Sequence, residues 1–365
     1  MAFIHKLCID GYRGIRQLEI GELRQVNLVV GDNNCGKTSV LEALQMLRTS
    51  GNLANVYRVA RLRDSLAILG SNSIFDSFIC MFPKNNDGNL RISVSGNCDD
   101  KDISFLLEGR QNRVLLDTKE LFVQKYRRQE MPEGEIETET FDGMISLKID
   151  DQEKKTEVHV NQYSSVTGTP FSDKDQFSIV YVSPFDHLRG SNLSRILKNE
   201  SYKKICIRAL QLFDPDIEDM MIFKSDIGNR PVEYLRHKLL GDMPLSSYGD
   251  GLKRVLALSN AIAMAAGGIL LIDEIETAIH KKYYDDIFQF VVKACKTFNV
   301  QAFITTHSIE AIDGLLGTQN YDNQQNTDDI CVCTIKRTSE GSFSRVLTGR
   351  EVYENREAFG FEVRL

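Results

Sequence analysis

The sequence predicts an α/β fold in which strands end on one shared site, and three stretches carry that prediction. Gly31-Asp32-Asn33-Asn34-Cys35-Gly36-Lys37-Thr38 sits between the apolar run Val26-Asn27-Leu28-Val29-Val30 and a helical pattern over 39–48, with Val40, Leu41, Leu44 and Leu47 at helical spacing. Ile269-Leu270-Leu271-Ile272 runs into Asp273-Glu274, and Val300-Gln301-Ala302-Phe303-Ile304-Thr305 runs into Thr306-His307-Ser308. Each reads as a short buried strand delivering polar groups to its carboxyl end, where open α/β sheets keep their ligands.

Composition bounds the rest. A chain of 365 residues holds one large domain or two ordinary ones, and 42% hydrophobic residues can furnish a core. The opening Met1-Ala2-Phe3-Ile4-His5-Lys6 lacks the apolar run of a signal peptide, and no stretch approaches the 18 apolar residues of a membrane span, so a cytoplasmic protein without a membrane partner is expected. The eight cysteines form no C-x-x-C pair and are expected as reduced thiols. The closest, Cys331 and Cys333, are expected on opposite faces of a strand. A net charge of -7 argues against nucleic-acid binding by the whole surface and leaves room for a local basic groove.

The first stretch fits G-x-x-x-x-G-K-[ST] without mismatch, in the context of strand, loop and helix that the motif requires. Gly31 and Gly36 let the backbone curl so that successive N–H groups, through Asn33, Asn34, Cys35 and Ser39, face one cluster of phosphate oxygens at the positive end of a helix. Lys37 adds a mobile charge for the terminal phosphates, and the Thr38 hydroxyl is suited to magnesium. Cys35 has the setting that can depress a thiol pKa, although a small residue tolerated in the loop is the simpler reading.

Taken in order, residues 3–9 and 15–20 read as strands about a turn at Gly11 and Gly14, and the phosphate-loop strand follows. Residues 52–69 read as a helix whose Arg58, Arg61 and Arg63 form a solvated face. From about 90 to 182 short alternating runs, at 90–94, 144–149 and 177–182, read as antiparallel strands. Between them, 130–142 carries Glu133, Glu135, Glu137 and Glu139 and reads as an exposed connection, while Lys125, Arg127 and Arg128 form one compact basic cluster. Residues 186–213 read mainly as helix, stopped by Asp214-Pro215, and strands are expected at 219–223 and 232–236. No heptads are sustained, so long coiled-coil arms are not expected. Residues 330–365 hold a strand pair and a short tail.

The second half of the site follows from the later strands. Asp273 would hold magnesium, and Glu274, one residue on, would orient and deprotonate an attacking water. Leu245-Ser246-Ser247-Tyr248-Gly249-Asp250-Gly251 precedes an amphipathic helix over 252–266 that ends at Gly267-Gly268, which allows a second phosphate-facing helix start or an ordinary cap. His307, at a strand's carboxyl end in the same sheet, could reach a terminal phosphate or the hydrolytic water.

In that order, Gly31 to Thr38, Ser247-Tyr248-Gly249, Asp273-Glu274 and His307 resemble the Walker A, signature, Walker B and switch-histidine elements of ABC-type ATPases. Their forms resemble the branch containing the OLD proteins and RecF, and within it the stand-alone ATPase subunits of anti-phage systems such as PARIS, Septu and the RloA-like proteins. The match covers about 1–48 and 245–315. The resemblance implies an ABC-type P-loop ATPase head with a mixed sheet, an antiparallel β insertion and a helical lid. It assigns 1–50 and 240–335 to the core, 51–239 to the insertion and lid, and 336–365 to a terminal strand and tail.

The resemblance also implies ATP and Mg2+ as cofactors and two heads face to face. Ser247, Gly249 and Gly251 of one copy would reach the γ-phosphate of ATP held at Lys37 and Thr38 of the other, and Thr277 to His280 would cross the interface. The signature is Ser-Tyr-Gly rather than Ser-Gly-Gly, implying slow turnover, and Thr277-Ala278 replaces the branch's frequent Asn-Gly. The glutamine that couples magnesium to the lid is sought within 71–82. OLD proteins proper carry a following Toprim nuclease domain, for which 330–365 offers too few residues. The resemblance thus implies an ATPase that dimerises on ATP, with larger assemblies open, as sensor or scaffold of an anti-phage complex controlling a separately encoded nuclease or toxin. The alternative it implies is a RecF-like, ATP-gated DNA clamp of repair.

Overall fold

The computed structural model describes residues 3–48, 52–63, 73–84, 88–98, 101–117, 135–163, 178–188, 193–224, 231–321, 328–339 and 341–364. A hairpin of β1 (Ile4–Tyr12) and β2 (Ile15–Ile20) opens the chain, turning at Arg13, whose φ is 50°. Then β3 (Val26–Val30) feeds α1 (Lys37–Leu44), which tightens into a 3-10 turn over Gln45–Arg48. Short helices α2 (Leu53–Ala60) and α3 (Ile74–Ile79) precede β4 (Asn89–Cys98), β5 (Asp102–Asp117), β6 (Glu135–Ile149) and β7 (Gln152–Asn161). After β8 (Ile179–Val182) come α4 (Ser194–Leu197), α5 (Glu200–Gln211), β9 (Ile217–Lys224), β10 (Pro231–His237) and β11 (Gly241–Pro244). The remainder is α6 (Asp250–Met264), β12 (Ile269–Ile272), α7 (Tyr284–Thr297), β13 (Gln301–Thr305), α8 (Ile309–Leu316), β14 (Ile330–Arg337), β15 (Ser342–Thr348) and α9 (Gly349–Phe359).

The strands form a mixed sheet in the order β15-β14-β3-β13-β12-β8, an antiparallel sheet in the order β2-β1-β4-β5-β6-β7, and a small antiparallel sheet β11-β10-β9. In the mixed sheet β14, β3, β13, β12 and β8 run parallel, and only the edge strand β15 opposes them. Successive side chains alternate between two cores. Val29, Phe303, Ile269 and Leu271 pack toward the antiparallel sheet and α1, while Leu28, Val30, Ile304, Leu270 and Ile272 pack toward the layer of α5, α6, α7 and α8. Burial on both faces is why these strands read as unbroken apolar runs.

Several expectations change. The run at 177–182 contributes β8, which pairs parallel with β12 rather than joining the antiparallel strands. Glu135, Glu137 and Glu139 lie within β6, not in an exposed connection, because they alternate with Ile136, Thr138 and Thr140, the period of a strand with one wet face. Helix over 52–69 stops at Ala60, with 64–69 outside the described residues, and 186–213 divides into a 3-10 turn, α4 and α5. Lys125, Arg127 and Arg128 also lie outside the described residues.

Cys331 and Cys333 do not point to opposite faces. Residues two apart share a face of a strand, and their Sγ atoms are 3.8 Å apart in the core. The segment after β14 also holds more than a strand pair and tail, since α9 starts at a capping box in which Thr348 and Glu351 satisfy each other's backbone N–H. Of the arginines expected on a solvated face, Arg58 is half-buried, while Arg63 is exposed and still makes an ion pair. Arg58 donates to Gln45 and Asn55, and Arg63 pairs with Glu42, a buried carboxylate of α1 that also holds Arg13 at 2.9 Å.

Candidate active site

The loop between β3 and α1 takes its shape from two glycines. Gly31 (φ 141°) and Gly36 (φ 110°) occupy the region that favours glycine, and a Cβ on Gly31 would overlap the Ile335 carbonyl. The Lys37 ammonium sits inside the curl and donates to the Gly31 and Asp32 carbonyls, both at 2.8 Å. Burial holds its pKa below the ordinary lysine value. Asn33 and Asn34 are exposed at the rim, and the buried Ser39 hydroxyl accepts from Arg63 at 3.1 Å. Cys35 is buried, and burial raises rather than lowers its thiol pKa, outweighing the nearby lysine. The oxidation-sensitive reading of Cys35 therefore loses its basis.

Three elements converge on Asp273, at the end of β12. Its Oδ1 accepts from Thr305 Oγ1 at the end of β13 (2.6 Å) and from Thr38 Oγ1 in the first turn of α1 (3.2 Å), and its Oδ2 accepts from Tyr181 on β8 (3.2 Å). A carboxylate and hydroxyl oxygens held together at the mouth of a phosphate loop are the donor set that suits magnesium. Tyr181 carries no motif signal, and its role appears only when β8 is placed beside β12. Residues 71–82 contain no glutamine, so that segment does not supply the lid glutamine.

Glu274 adopts φ 49°, a left-handed conformation that costs a non-glycine residue about 1 kcal/mol. Both of its backbone groups are held. Its N–H donates to Thr305 Oγ1 at 2.9 Å, and its carbonyl accepts from Arg254 at 3.0 Å. Thr277 Oγ1 donates to Glu274 Oε2 at 3.3 Å, and His307 Nε2 stands 3.8 Å from Glu274 Oε1. Glu274 and His307 remain about two-fifths exposed, at 43% and 41%, so water can reach both.

Arg254 was not singled out by the sequence because an arginine on an amphipathic helix usually faces water. Here it is fully buried on α6 and donates to the carbonyls of Ser183, Asp273 and Glu274 at 2.5, 3.1 and 3.0 Å. Burial lowers its pKa to about 10, opposed in part by Asp186 and Asp273. It ties α6, whose N-cap is Gly249, to the acids at the end of β12. Arg254→Met is expected to lower unfolding stability by about 3 kcal/mol, because charged hydrogen bonds to three carbonyls are lost. The check is the denaturation midpoint at unchanged m-value, and an unshifted midpoint would contradict this account of Arg254.

The structure brings Lys37, Thr38, Asp273, Glu274 and His307 together. Ser247 and Gly249, at the start of α6, are exposed, whereas Gly251 packs so closely on the Ala278 carbonyl and Phe213 ring that a side chain would crowd them. Thr277 joins the site through Glu274. His280 is exposed, and its Nδ1 accepts from the Lys282 N–H at 3.2 Å, capping the turn over Lys281–Tyr283.

Residues 26–313 match the family described as "AAA domain, putative AbiEii toxin, Type IV TA system". An uncharacterized Methanocaldococcus jannaschii protein, MJECL11, is 31% identical over 116 residues, which are 32% of this chain and 98% of that protein. A Helicobacter pylori protein named ATP/GTP phosphatase is 21% identical over 345 residues, covering 88% of this chain and 90% of that one. Among solved structures, an Smc head bound to the C-winged helix domain of ScpA superposes with a TM-score of 0.51 at 12% identity, covering 96% of this chain and 99% of that one. An Smc head with an extended coiled coil, bound to the C-terminal domain of ScpA derived from Pyrococcus furiosus, gives 0.50 at 12% identity over 99% and 100% of the two chains. The fold is thus that of ABC-type P-loop ATPase heads.

Proposed function

Because the chain belongs to the AAA-domain family so described, we propose that it is an ATP-hydrolysing ABC-type ATPase that closes as a homodimer on ATP and serves as sensor or scaffold of an anti-phage complex. The observation that carries the ATPase reading is the convergence of Thr38, Asp273, Glu274 and His307 beside the Lys37 loop at the carboxyl ends of parallel strands. Lys37 and the loop N–H groups bind the phosphates. Thr38 and Asp273 would hold Mg2+, which when bound offsets the charge on the phosphate oxygens. Glu274 takes a proton from the attacking water as its oxygen bonds the γ-phosphorus, and the bond to the ADP oxygen breaks with its electron pair leaving on ADP. His307 contacts the γ-phosphate or that water.

The two-copy arrangement draws support from Ser247 and Gly249, which are exposed at the start of a helix and so open to a second copy. Thr277 and His280 would face the second copy. The defence reading draws on the motif forms and on the words "putative AbiEii toxin, Type IV TA system" in the family's description. Among the described residues no helix is long and apolar enough to cross a membrane. The controlled effector is a separately encoded nuclease or toxin.

The test is purification of tagged Glu274→Gln protein from its own host with ATP and magnesium, followed by identification of what is bound. A stoichiometric nuclease or toxin is expected. Nucleic acid with no protein partner, bound only with ATP and released by salt, would replace the scaffold reading with that of a RecF-like DNA clamp.

A further inference from the structure

We propose that Glu276 and Arg364 are positioning residues that clamp the His307 peptide from its two sides and so fix its imidazole opposite Glu274; the proposal rests on the reading of His307 given above. Glu276 Oε1 accepts the backbone N–H of His307 at 2.8 Å and that of Ser308 at 3.3 Å. Arg364 Nη1 donates to the His307 carbonyl at 2.9 Å. Both polar groups of one peptide segment are therefore held by side chains, where the end of β13 gives way to α8.

Each clamp has its own anchor. Glu276 follows Glu274 by two residues, so the acid that faces His307 and the acid that holds its backbone belong to one turn. The other Glu276 oxygen, Oε2, is buried without a hydrogen-bond partner, so Oε1 alone carries the two N–H groups. Behind Arg364, Val363 is fully buried and its carbonyl accepts from Thr334 on β14 at 2.7 Å. The Arg364 Nε and Nη2 fork onto Glu362, both at 2.7 Å, leaving Nη1 for His307. That fork pulls the Glu362 pKa to about 2, so the pair stays charged throughout the physiological range.

An exposed Arg364 and Glu362 pair alone would be a surface ion pair of little consequence. The contact with His307 makes it more. The link between β13 and α8 is only Thr306-His307-Ser308, so a rotation of the His307 peptide swings the ring directly. Its Nε2 stands 3.8 Å from Glu274, longer than a direct hydrogen bond, and that spacing depends on the backbone being fixed.

Hydrogen exchange and steady-state kinetics on the full chain test this. Glu276→Ala and Arg364→Met are each expected to speed amide exchange across 303–310 by about tenfold and to lower kcat by about five- to tenfold with KM within about twofold. Glu276→Gln, which keeps the accepting oxygen, should restore most of kcat. In a His307→Ala background neither substitution should lower kcat further. Unchanged exchange across 303–310 in both variants, or an undiminished kcat loss in the His307→Ala background, would overturn the clamp. If His307→Ala by itself leaves kcat unchanged, the reading of His307 falls while the exchange result still decides the clamp.

Discussion

Glu274→Gln is expected to lower kcat for ATP hydrolysis by at least about 100-fold, the scale of a lost general base, while ATP binding stays within a few-fold of the original. The amide keeps the shape of the carboxylate and can still accept from Thr277, whose hydroxyl lies 3.3 Å from Oε2. The left-handed backbone is held by Thr305 and Arg254 irrespective of the side chain, so the site should not rearrange. What disappears is the capacity to take a proton from water. The variant should accumulate as an ATP-bound dimer, visible by size exclusion with ATP and magnesium. Turnover near the original rate would remove Glu274 from the role of base.

Lys37→Ala is expected to weaken ATP binding by about 100-fold or more, equivalent to two charge-assisted hydrogen bonds of about 1.5 kcal/mol each. In the structure its ammonium bridges the Gly31 and Asp32 carbonyls, which places it at the centre of the loop. Burial lowers its pKa, which makes the ammonium ready to exchange carbonyl partners for an anion that offsets its charge. Calorimetric titration with ATP reads the loss directly. Affinity close to that of the unaltered chain would place the nucleotide elsewhere.

What the sequence made legible is local. The phosphate loop, the strand ending in Asp273-Glu274 and the strand ending in Thr306-His307 are each contiguous, and burial on both faces makes their strands plain as apolar runs. The contacts that orient them are not contiguous. Tyr181 reaches Asp273 across 92 residues, and Arg364 reaches His307 across 57, so neither has a spacing to recognise. Arg254 hides because an arginine inside a helix pattern looks solvated, and only the packing of α6 against the end of β12 shows it buried.

Other features left a signal that charge obscured. The acids of β6 keep strict alternation, yet an acidic run resembles a loop when the partners β5 and β7 are not in view. The helix α9 had a capping box in Thr348-x-x-Glu351, and its exposed, charged surface hid the periodicity beyond it. Glu276 looked like one acid among several until its oxygen was found on two N–H groups of another strand's end.

In the proposed dimer each working site is built from two copies, with the Lys37 loop of one facing the exposed Ser247 and Gly249 at the start of α6 on the other. The most direct test mixes Ser247→Arg and Lys37→Ala proteins, each inactive alone, and measures ATP hydrolysis. Random pairing makes half the dimers mixed, each with one intact site of two, so the mixture should recover about a quarter of the unaltered rate. A mixture as inactive as its components would contradict the two-copy site.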